Sequence, residues 1–369
     1  MTSLAEYARA PAQTVYVSGS AYLSGSLLAT LPIVGGTVTA DCRRTKMRDA
    51  TVNLGLSEDF TQEQLYALLS APGLEITIER GFVAADGTTL GAALGRFVID
   101  ELSYQRDPGA TTLAATLSDL SQRISRARWT DPYTIEAATP LCDALGAILV
   151  DRWPQVRSGI TSVTTPGTIA AQVILAAGDS SDPWADASKL AAAYGYSLFF
   201  DGAGVAQAPA APVLAPASAV FSFSMGEAAV MTQQTRVAAL QRTYNGVIVS
   251  GEAPELAAPV RGEAWDAAPQ SATYYLGPFG KVPMFYSSPL IATTDQANAT
   301  AAAMLSRVLG HVEQLSWSQV VHPGLKPLDV VTVELTEGVL TPYILDAVTI
   351  PFGVTDAASA IAREITVSY

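Results

Sequence analysis

One stretch near the end of the sequence constrains the fold more than any other. It runs from Trp317 to Gly353, and within it short apolar runs alternate with turn-forming residues such as His322-Pro323-Gly324 and Glu337-Gly338. This alternation is typical of a compact antiparallel sheet. The stretch contains no set of catalytic residues, so an architectural role is the first hypothesis. The apolar runs are Val320–Val321, Val330–Val333, Tyr343–Leu345 and Val348–Ile350.

Composition indicates that much of the chain is buried. Of its 369 residues, 49% are hydrophobic and only 15% are charged. A chain with so little charge is expected to bury part of its apolar surface against neighbouring subunits. Its net charge of −13 argues against specific nucleic-acid binding, which relies on clustered Lys and Arg.

The first third of the chain predicts β structure interrupted by one helix at Thr61–Ser70. Leu74, Ile76 and Ile78 alternate with polar residues, as in a strand with one solvated face. A basic turn joins two earlier runs and predicts a hairpin. Strands at this spacing with tight turns favour a barrel or sandwich of about a hundred residues. The hairpin arms and later strands are Gly36–Asp41, Met47–Leu54, Gly95–Gln105 and Thr111–Leu120.

The period becomes helical near residue 130. Thr139 is the expected N-cap of a helix that starts at Pro140. Asp182 is the expected N-cap of a second helix, which stops at Gly195. A hairpin is expected to follow at Tyr196–Ala208. The two helices and this hairpin together predict a small α+β insert, which a Pro- and Ala-rich linker follows. The buried stripe expected on the first helix is Leu141, Leu145, Ile148, Leu149 and Trp153.

The last third of the chain returns to β structure. Arg236–Arg242 could extend the second of two predicted strands, and residues 252 to 290 show little periodicity. We expect a long loop or an irregular set of strands there. A helix capped by Thr294 or Asp295 then runs to Leu309. The two predicted strands are Phe221–Ser224 and Tyr244–Gly251.

Several segments together resemble a known family, the baseplate hub or tail-associated minor tail protein of tailed bacteriophages. The resemblance covers most of the chain. The family's central loop usually reads proline, two or three residues, then Gly-Asp-Val-Val, and here Leu328-Asp329 takes the place of Gly-Asp. The segments are Arg48–Leu54, Gly95–Gln105, Leu117–Arg123, Tyr196–Gly204, Gly246–Gly251, the Ala-rich helix ending at Leu309-Gly310, Leu315–Val321, Pro323–Val331 and Tyr343–Pro351.

The resemblance implies a mainly β fold with an α+β insert. It implies two tube-like β-barrel domains, a small α+β domain and a C-terminal helix-plus-sheet unit. The expected domains are residues 1–128 as the N-terminal barrel, 129–215 as the insert, and 216–369 as the second barrel, which includes the helix at 295–309 and the C-terminal strands. Three copies of two similar barrels would let a threefold hub dock on a sixfold tail tube.

The implied function is structural. The family's hub is a homotrimer at the distal tip of the virion tail, between the tail tube or distal tail proteins and the spike or fibre proteins. It surrounds a passive DNA channel, and carboxylates facing that channel would keep DNA from sticking to its wall. We expect synthesis in the host cytoplasm without a signal peptide, because Glu6 and Arg9 interrupt the N-terminus. No apolar run long enough for a membrane helix is present, so no stable membrane insertion is expected.

Enzymatic functions have little support in the sequence. His311 and His322 have no second ligand at metal-binding spacing, and nucleophile elbows and phosphate-binding loops are absent. We therefore predict no enzyme, metal or cofactor. Cys42 and Cys142 are expected to be buried free thiols, with a disulfide as the alternative. Two carboxylate pairs leave a cell-wall hydrolase as an alternative function. They are Glu252/Glu255 and Glu263/Asp266.

Aromatic residues in the 252–290 segment are the candidate interface. Aromatic side chains anchor protein interfaces, and they also stack on sugars, so a carbohydrate-binding tail module is a second alternative. The loops Pro323–Asp329 and Glu337–Thr341 are further places where one subunit is expected to meet another. The candidate interface residues are Trp265, Tyr274, Tyr275, Phe279, Phe285, Tyr286, Lys326 and Asp329.

Overall fold

The structure is a computed structural model, and it confirms a mainly β protein. It describes residues 4–8, 14–55, 60–84, 86–107, 110–160, 167–170, 172–210, 219–224, 230–238, 243–251, 260–288, 291, 293–309, 313–336 and 338–364. Within these residues, no helix is long and apolar enough to cross a membrane.

The elements fall into two β regions separated by an α+β insert. The first region contains α1 (Leu4–Ala8), β1 (Thr14–Leu23), β2 (Ser26–Leu31), β3 (Ile33–Asp41), β4 (Arg48–Leu54), α2 (Gln62–Leu69), β5 (Glu75–Val83), β6 (Thr89–Asp107), β7 (Ala110–Asp119) and α3 (Ser121–Arg126). The insert contains β8 (Tyr133–Ile135), α4 (Leu141–Arg152), β9 (Val173–Leu175), α5 (Pro183–Ala193), β10 (Phe199–Phe200) and β11 (Ala206–Gln207).

The second β region begins with β12 (Phe221–Phe223) and β13 (Met231–Ala238). A small three-stranded unit follows, and the C-terminal strands complete the region. That unit contains β14 (Gly246–Gly251), β15 (Arg261–Trp265), β16 (Pro283–Ser288) and α6 (Thr294–Val308), and the last strands are β17 (Glu313–Gln319), β18 (Val330–Thr336), β19 (Val339–Pro351) and β20 (Ala358–Glu364). The predicted division at residues 128 and 215 stays a prediction.

A single sheet joins the two β regions. In the described part of the chain it has thirteen strands, in the order β13-β17-β20-β19-β3-β4-β7-β6-β5-β1-β2, with β18 and β12 branching from β19. The junction lies on β19, since β18 pairs with its first half and β3 with its second half, where Val348 lies opposite Ala40. The two apolar runs predicted at Tyr343–Leu345 and Val348–Ile350 are therefore one strand.

One hydrophobic core draws on both β regions. Val52, Ile76 and Phe97 from the first region belong to the same buried cluster as Phe223 and Val331 from the second. Burying these side chains together supplies most of the favourable free energy of folding. The two regions are thus expected to unfold together.

The insert has its own core and is anchored to the turn after β3. Trp184 on α5 is fully buried, and its Nε1 donates to the carbonyl of Thr45 at 2.8 Å. Its indole stacks on Phe200 with ring centroids 5.2 Å apart. The buried guanidinium of Arg48 donates to the Phe200 carbonyl. The insert is therefore attached to the first β region at the basic turn of the predicted hairpin.

Helix starts differ slightly from the prediction. Asp182 caps α5 as predicted, because its carboxylate accepts from the Ala185 amide at 3.0 Å. In α4 the N-cap is Pro140, which makes no side-chain cap hydrogen bond, so the prediction of Thr139 was wrong by one residue. In α6 the hydroxyl of Thr293 caps the helix, one residue before the predicted Thr294.

The segment from 252 to 290 is more regular than expected. Its described part contains β15 and β16, which pair with the two edges of β14. The residues around Arg236 also form a strand of their own, β13, which pairs with β17 and does not extend β14. Of the two alternatives for 252–290, the described residues therefore agree with a set of strands and not with a long loop. The expectation that Arg236 extends β14 was wrong, because the partner of β13 is β17, about eighty residues later.

The solvated face expected on β5 is also partly wrong. Glu75 is buried, and its carboxylate pairs with Arg96 and, at 2.6 Å, with Arg123. A buried carboxylate requires such partners to offset its desolvation. Glu79, further along the same face, is exposed as predicted.

The turn at Leu328 shows how this chain manages without the glycine that the sequence resemblance leads one to expect. Leu328 has a φ of 73°, a left-handed conformation that usually favours glycine. Two backbone hydrogen bonds hold it there. The Leu328 amide donates to the Leu345 carbonyl at 2.8 Å, and the Leu345 amide donates to the Asp329 carbonyl at 2.9 Å. The departure from Gly-Asp thus leaves a strained residue in a well-bonded turn.

We expect Leu328→Gly to be neutral or to raise the free energy of unfolding by up to about 1 kcal/mol, because it relieves left-handed strain of roughly 1–2 kcal/mol and adds chain entropy to the unfolded state. Leu328→Val should lower it by at least about 1 kcal/mol, since β-branched residues tolerate this conformation worst. Urea unfolding of the two variants checks the order. Equal stability of the two would contradict the assigned turn.

Candidate functional site

The small sheet of β14, β15 and β16 buries one face and exposes the other. Val247 and Val249 pack against α6 in a separate core, which Tyr286 also joins. Because side chains alternate along a strand, Phe285 points to the opposite face, next to Ile248. Phe285 is 73% exposed, the most exposed of the predicted aromatic residues. The predicted interface residues Phe285 and Tyr286 therefore lie on opposite faces, and Tyr286 is a core residue.

Three of the predicted aromatic residues form one cluster. The rings of Trp265 and Tyr275 lie 6.0 Å apart, and those of Tyr274 and Tyr275 lie 5.5 Å apart at nearly a right angle. The ammonium of Lys281 lies 5.5 Å from the rings of both Trp265 and Tyr275. The indole also lies against Gly246, where an added Cβ would meet it. Trp265 is thus occupied by its own chain. Phe279 is half-buried.

Two buried polar residues hold the loop between β15 and β16. Asn245 is fully buried; its amide donates to the Thr273 carbonyl at 2.8 Å and its oxygen accepts from the Val282 amide at 2.7 Å. Asp266 accepts from the Thr273 hydroxyl at 2.6 Å and from the Ser271 hydroxyl. Asn245 was not among the predicted residues, because its partners Thr273 and Val282 lie 28 and 37 residues away.

The predicted carboxylate pair Glu263/Asp266 does not have the form of a catalytic pair. Asp266 is buried and occupied by hydroxyl donors, whereas Glu263 is exposed and pairs with Arg261 at 3.7 Å. The pair Glu252/Glu255 and His311 lie outside the described residues. His322 is buried against Phe221, with ring centroids 4.7 Å apart, which agrees with a structural role.

No metal or thiol site emerges from the described residues. Among them, no group of three or more His, Cys, Asp and Glu side chains is placed to hold a metal ion. Cys42 and Cys142 are both free and half-buried. Burial raises the pKa of the Cys42 thiol to about 12, with Asp346 adding to the shift, so this thiol is unreactive near neutral pH.

The predicted interface residues Lys326 and Asp329 are joined by two hydrogen bonds that close a turn. The Lys326 amide donates to the Asp329 carboxylate at 3.0 Å, and the Asp329 amide donates back to the Lys326 carbonyl at 3.2 Å. Burial raises the pKa of the Asp329 carboxyl, and the bond from Lys326 opposes that shift. In the Pro323–Asp329 loop, Pro323, Leu325 and Pro327 are buried, whereas Gly324 and Lys326 are exposed.

Comparison with solved structures shows what this architecture is. No family model matches the chain, and no curated protein matches its sequence. A tail protein from Neisseria meningitidis MC58 superposes with a TM-score of 0.63 at 11% identity, over 95% of this chain and 97% of that one. The 43 kDa tail protein of prophage MuSo2 from Shewanella oneidensis gives 0.61 at 10% identity, over 94% and 98%. The fold is that of phage tail proteins.

The same tail-protein fold also occurs in a secretion machine. An E. coli component of the type VI secretion system, described as structurally similar to the T4 tail proteins gp27 and gp5, superposes with a TM-score of 0.52 at 10% identity. That match covers 95% of this chain and 78% of the other. The resemblance found in the sequence is therefore supported by solved structures that are only 10% or 11% identical to this chain.

Proposed function

We propose that this protein is a non-enzymatic structural subunit of a tail tip or baseplate. The observation that carries the proposal is the length of the structural match, since the phage tail proteins cover nearly the whole chain and are nearly wholly covered by it. A catalytic domain added to a tail scaffold would leave a large part of the chain unmatched. The cluster around Trp265 supports the same conclusion, because its rings already contact one another and Lys281.

We further propose that three copies form a hub ring around a DNA channel, with two tube-like barrels in each chain. What supports this is the pair of free edges on the large sheet. In the described residues, β2 pairs only with β1 and β13 pairs only with β17. Exposed Leu27 and Leu28 lie on β2, and exposed Val237 lies on β13. A free edge presents unpaired N–H and C=O groups that can pair with a strand of another chain, and apolar side chains on it favour such pairing.

In this arrangement the hub lies at the distal tip of the virion tail, joining tail-tube or distal tail proteins to spike or fibre proteins. The net charge of −13 suits the wall of a channel through which DNA passes. The chain needs no cofactor for this role.

Native mass measurement of the purified protein tests the proposal. We expect a species of three times the 38.5 kDa of one chain, which dissociates on dilution without prior unfolding. A strictly monomeric protein at micromolar concentration would count against the hub. Release of fragments from peptidoglycan by that monomer would favour the hydrolase alternative instead.

Retention on a glycan array is the corresponding test of the carbohydrate-binding alternative. Because Trp265 is half-buried and packed against its own chain whereas Phe285 is exposed, Phe285→Ala is the informative variant. We expect the wild-type protein to ignore every sugar. Binding that is lost in Phe285→Ala would establish the alternative.

A further inference from the structure

An open groove crosses the first β region where α3 meets β6. It has a volume of about 610 Å³ and lies between the loop before β5, the middle of β6 and α3. Its apolar part includes Leu69, Leu74, Val98, Ile99 and Leu102. The last three are only half-buried, so the groove presents apolar surface that the chain itself does not cover.

One end of the groove carries cationic side chains beside carboxylates. A second cavity of about 480 Å³ shares Gln122 and Arg126 with the groove and adds Lys46 and Arg128 together with Asp179 and Asp182, and Asp100 lines the groove itself. Arg123 is engaged with Glu75 and Arg128 with Asp179. Arg126 is exposed and has no ion pair with any other described residue. The groove therefore combines an apolar floor with an available guanidinium.

A complementary surface projects from the second β region. The hairpin between β18 and β19 turns at Gly338 and exposes Val339 and Leu340, at 55% and 53%. Glu334 and Glu337 both precede these side chains in sequence. Glu334 lies opposite Leu340 on the neighbouring strand and accepts from the Gly338 amide at 2.6 Å, which fixes the turn. The described part of the tip thus carries two exposed aliphatic side chains near the Glu334 carboxylate.

We propose that this hairpin tip of one copy docks in the groove of the next copy. The aliphatic side chains would fill the apolar floor, and a tip carboxylate would meet Arg126. Since groove and tip lie in different regions of one chain, the contact is heterologous and can close a ring. It rests on the proposed self-association and specifies which residues carry it.

The position of the groove agrees with the free sheet edges. Gly73, which lines the groove, faces Leu23 at the tip of the β1–β2 hairpin. The groove and the free edge of β2 both belong to the first β region, whereas the hairpin tip and β13 belong to the second. Docking of the tip and pairing of the edges would both place the second region of one copy against the first region of its neighbour.

Substitutions that reverse or introduce a charge in the groove or at the hairpin tip test the contact between copies. Arg126→Glu and Leu340→Asp should each raise the concentration for half-dissociation of the trimer at least about tenfold, because each removes part of a complementary contact. Arg106→Glu and Val354→Asp make the same chemical changes at other exposed positions and should leave assembly unchanged.

Failure of this contact can be told apart from failure of the hub. A wild-type trimer whose association is unaffected by either variant would overturn the contact alone, whereas a monomeric wild type would overturn both. If a variant is unstable, a double variant with Arg126→Cys and Leu340→Cys supplies the answer. It should form a disulfide between copies that neither single variant forms, and no such cross-link in an assembled trimer would also overturn the contact.

Discussion

Val331→Asp should prevent the protein from folding at ordinary temperatures. Val331 has no exposed surface, and its strand is flanked by Phe221 on one side and Tyr343 on the other. A carboxylate there has no cation to pair with in the core cluster to which it belongs. Burying it unpaired should cost about 4 kcal/mol or more, a large part of a total stability of about 5–15 kcal/mol.

Chemical unfolding followed by circular dichroism measures this cost. Val354→Asp is the matched control, because it makes the same change at a side chain that is 74% exposed. We expect the control to unfold within about 0.5 kcal/mol of the wild type. A Val331→Asp variant as stable as the control would contradict the conclusion that one buried core joins the two β regions.

Trp184→Ala should lower the free energy of unfolding by about 3–5 kcal/mol, since it leaves a large cavity in the core of the insert. The substitution also leaves the Thr45 carbonyl without its indole donor and removes the stacking on Phe200. Because Thr45 belongs to the first β region, the loss weakens the attachment of the insert as well as its interior.

Hydrogen exchange separates these two consequences. In Trp184→Ala, amides of α5 and of the β3–β4 turn should both exchange faster, whereas amides of β18 should change little. Trp265→Ala provides a control at a half-buried tryptophan, and its effects should remain near the β14–β16 sheet. Faster exchange confined to α5 in Trp184→Ala would argue that the insert is not anchored on the turn.

Short-range chemistry made much of this fold predictable. The capping box at Thr61 and the Asp182-Pro183 helix start depend on neighbours within four residues, and both helices lie where the sequence placed them. The mainly β class followed from alternating apolar residues. The three-stranded unit escaped prediction because β16 is short and pairs in parallel with a strand more than thirty residues earlier.

Long-range partners explain the remaining errors. Glu75 was expected in solvent because its neighbours alternate, but its partners Arg96 and Arg123 lie 21 and 48 residues away. The continuity of β19 depends on β3, about three hundred residues earlier. The clamp at Asn245 and the groove beside Arg126 arise only when distant segments meet, so periodicity could not reveal them.

Cryo-electron microscopy of the purified assembly tests the proposal that copies of this chain form a threefold tail-tip ring. We expect a ring of three copies around an open channel, with β13 of one copy beside β2 of the next. A particle without threefold symmetry, or a ring in which both sheet edges face solvent, would contradict it.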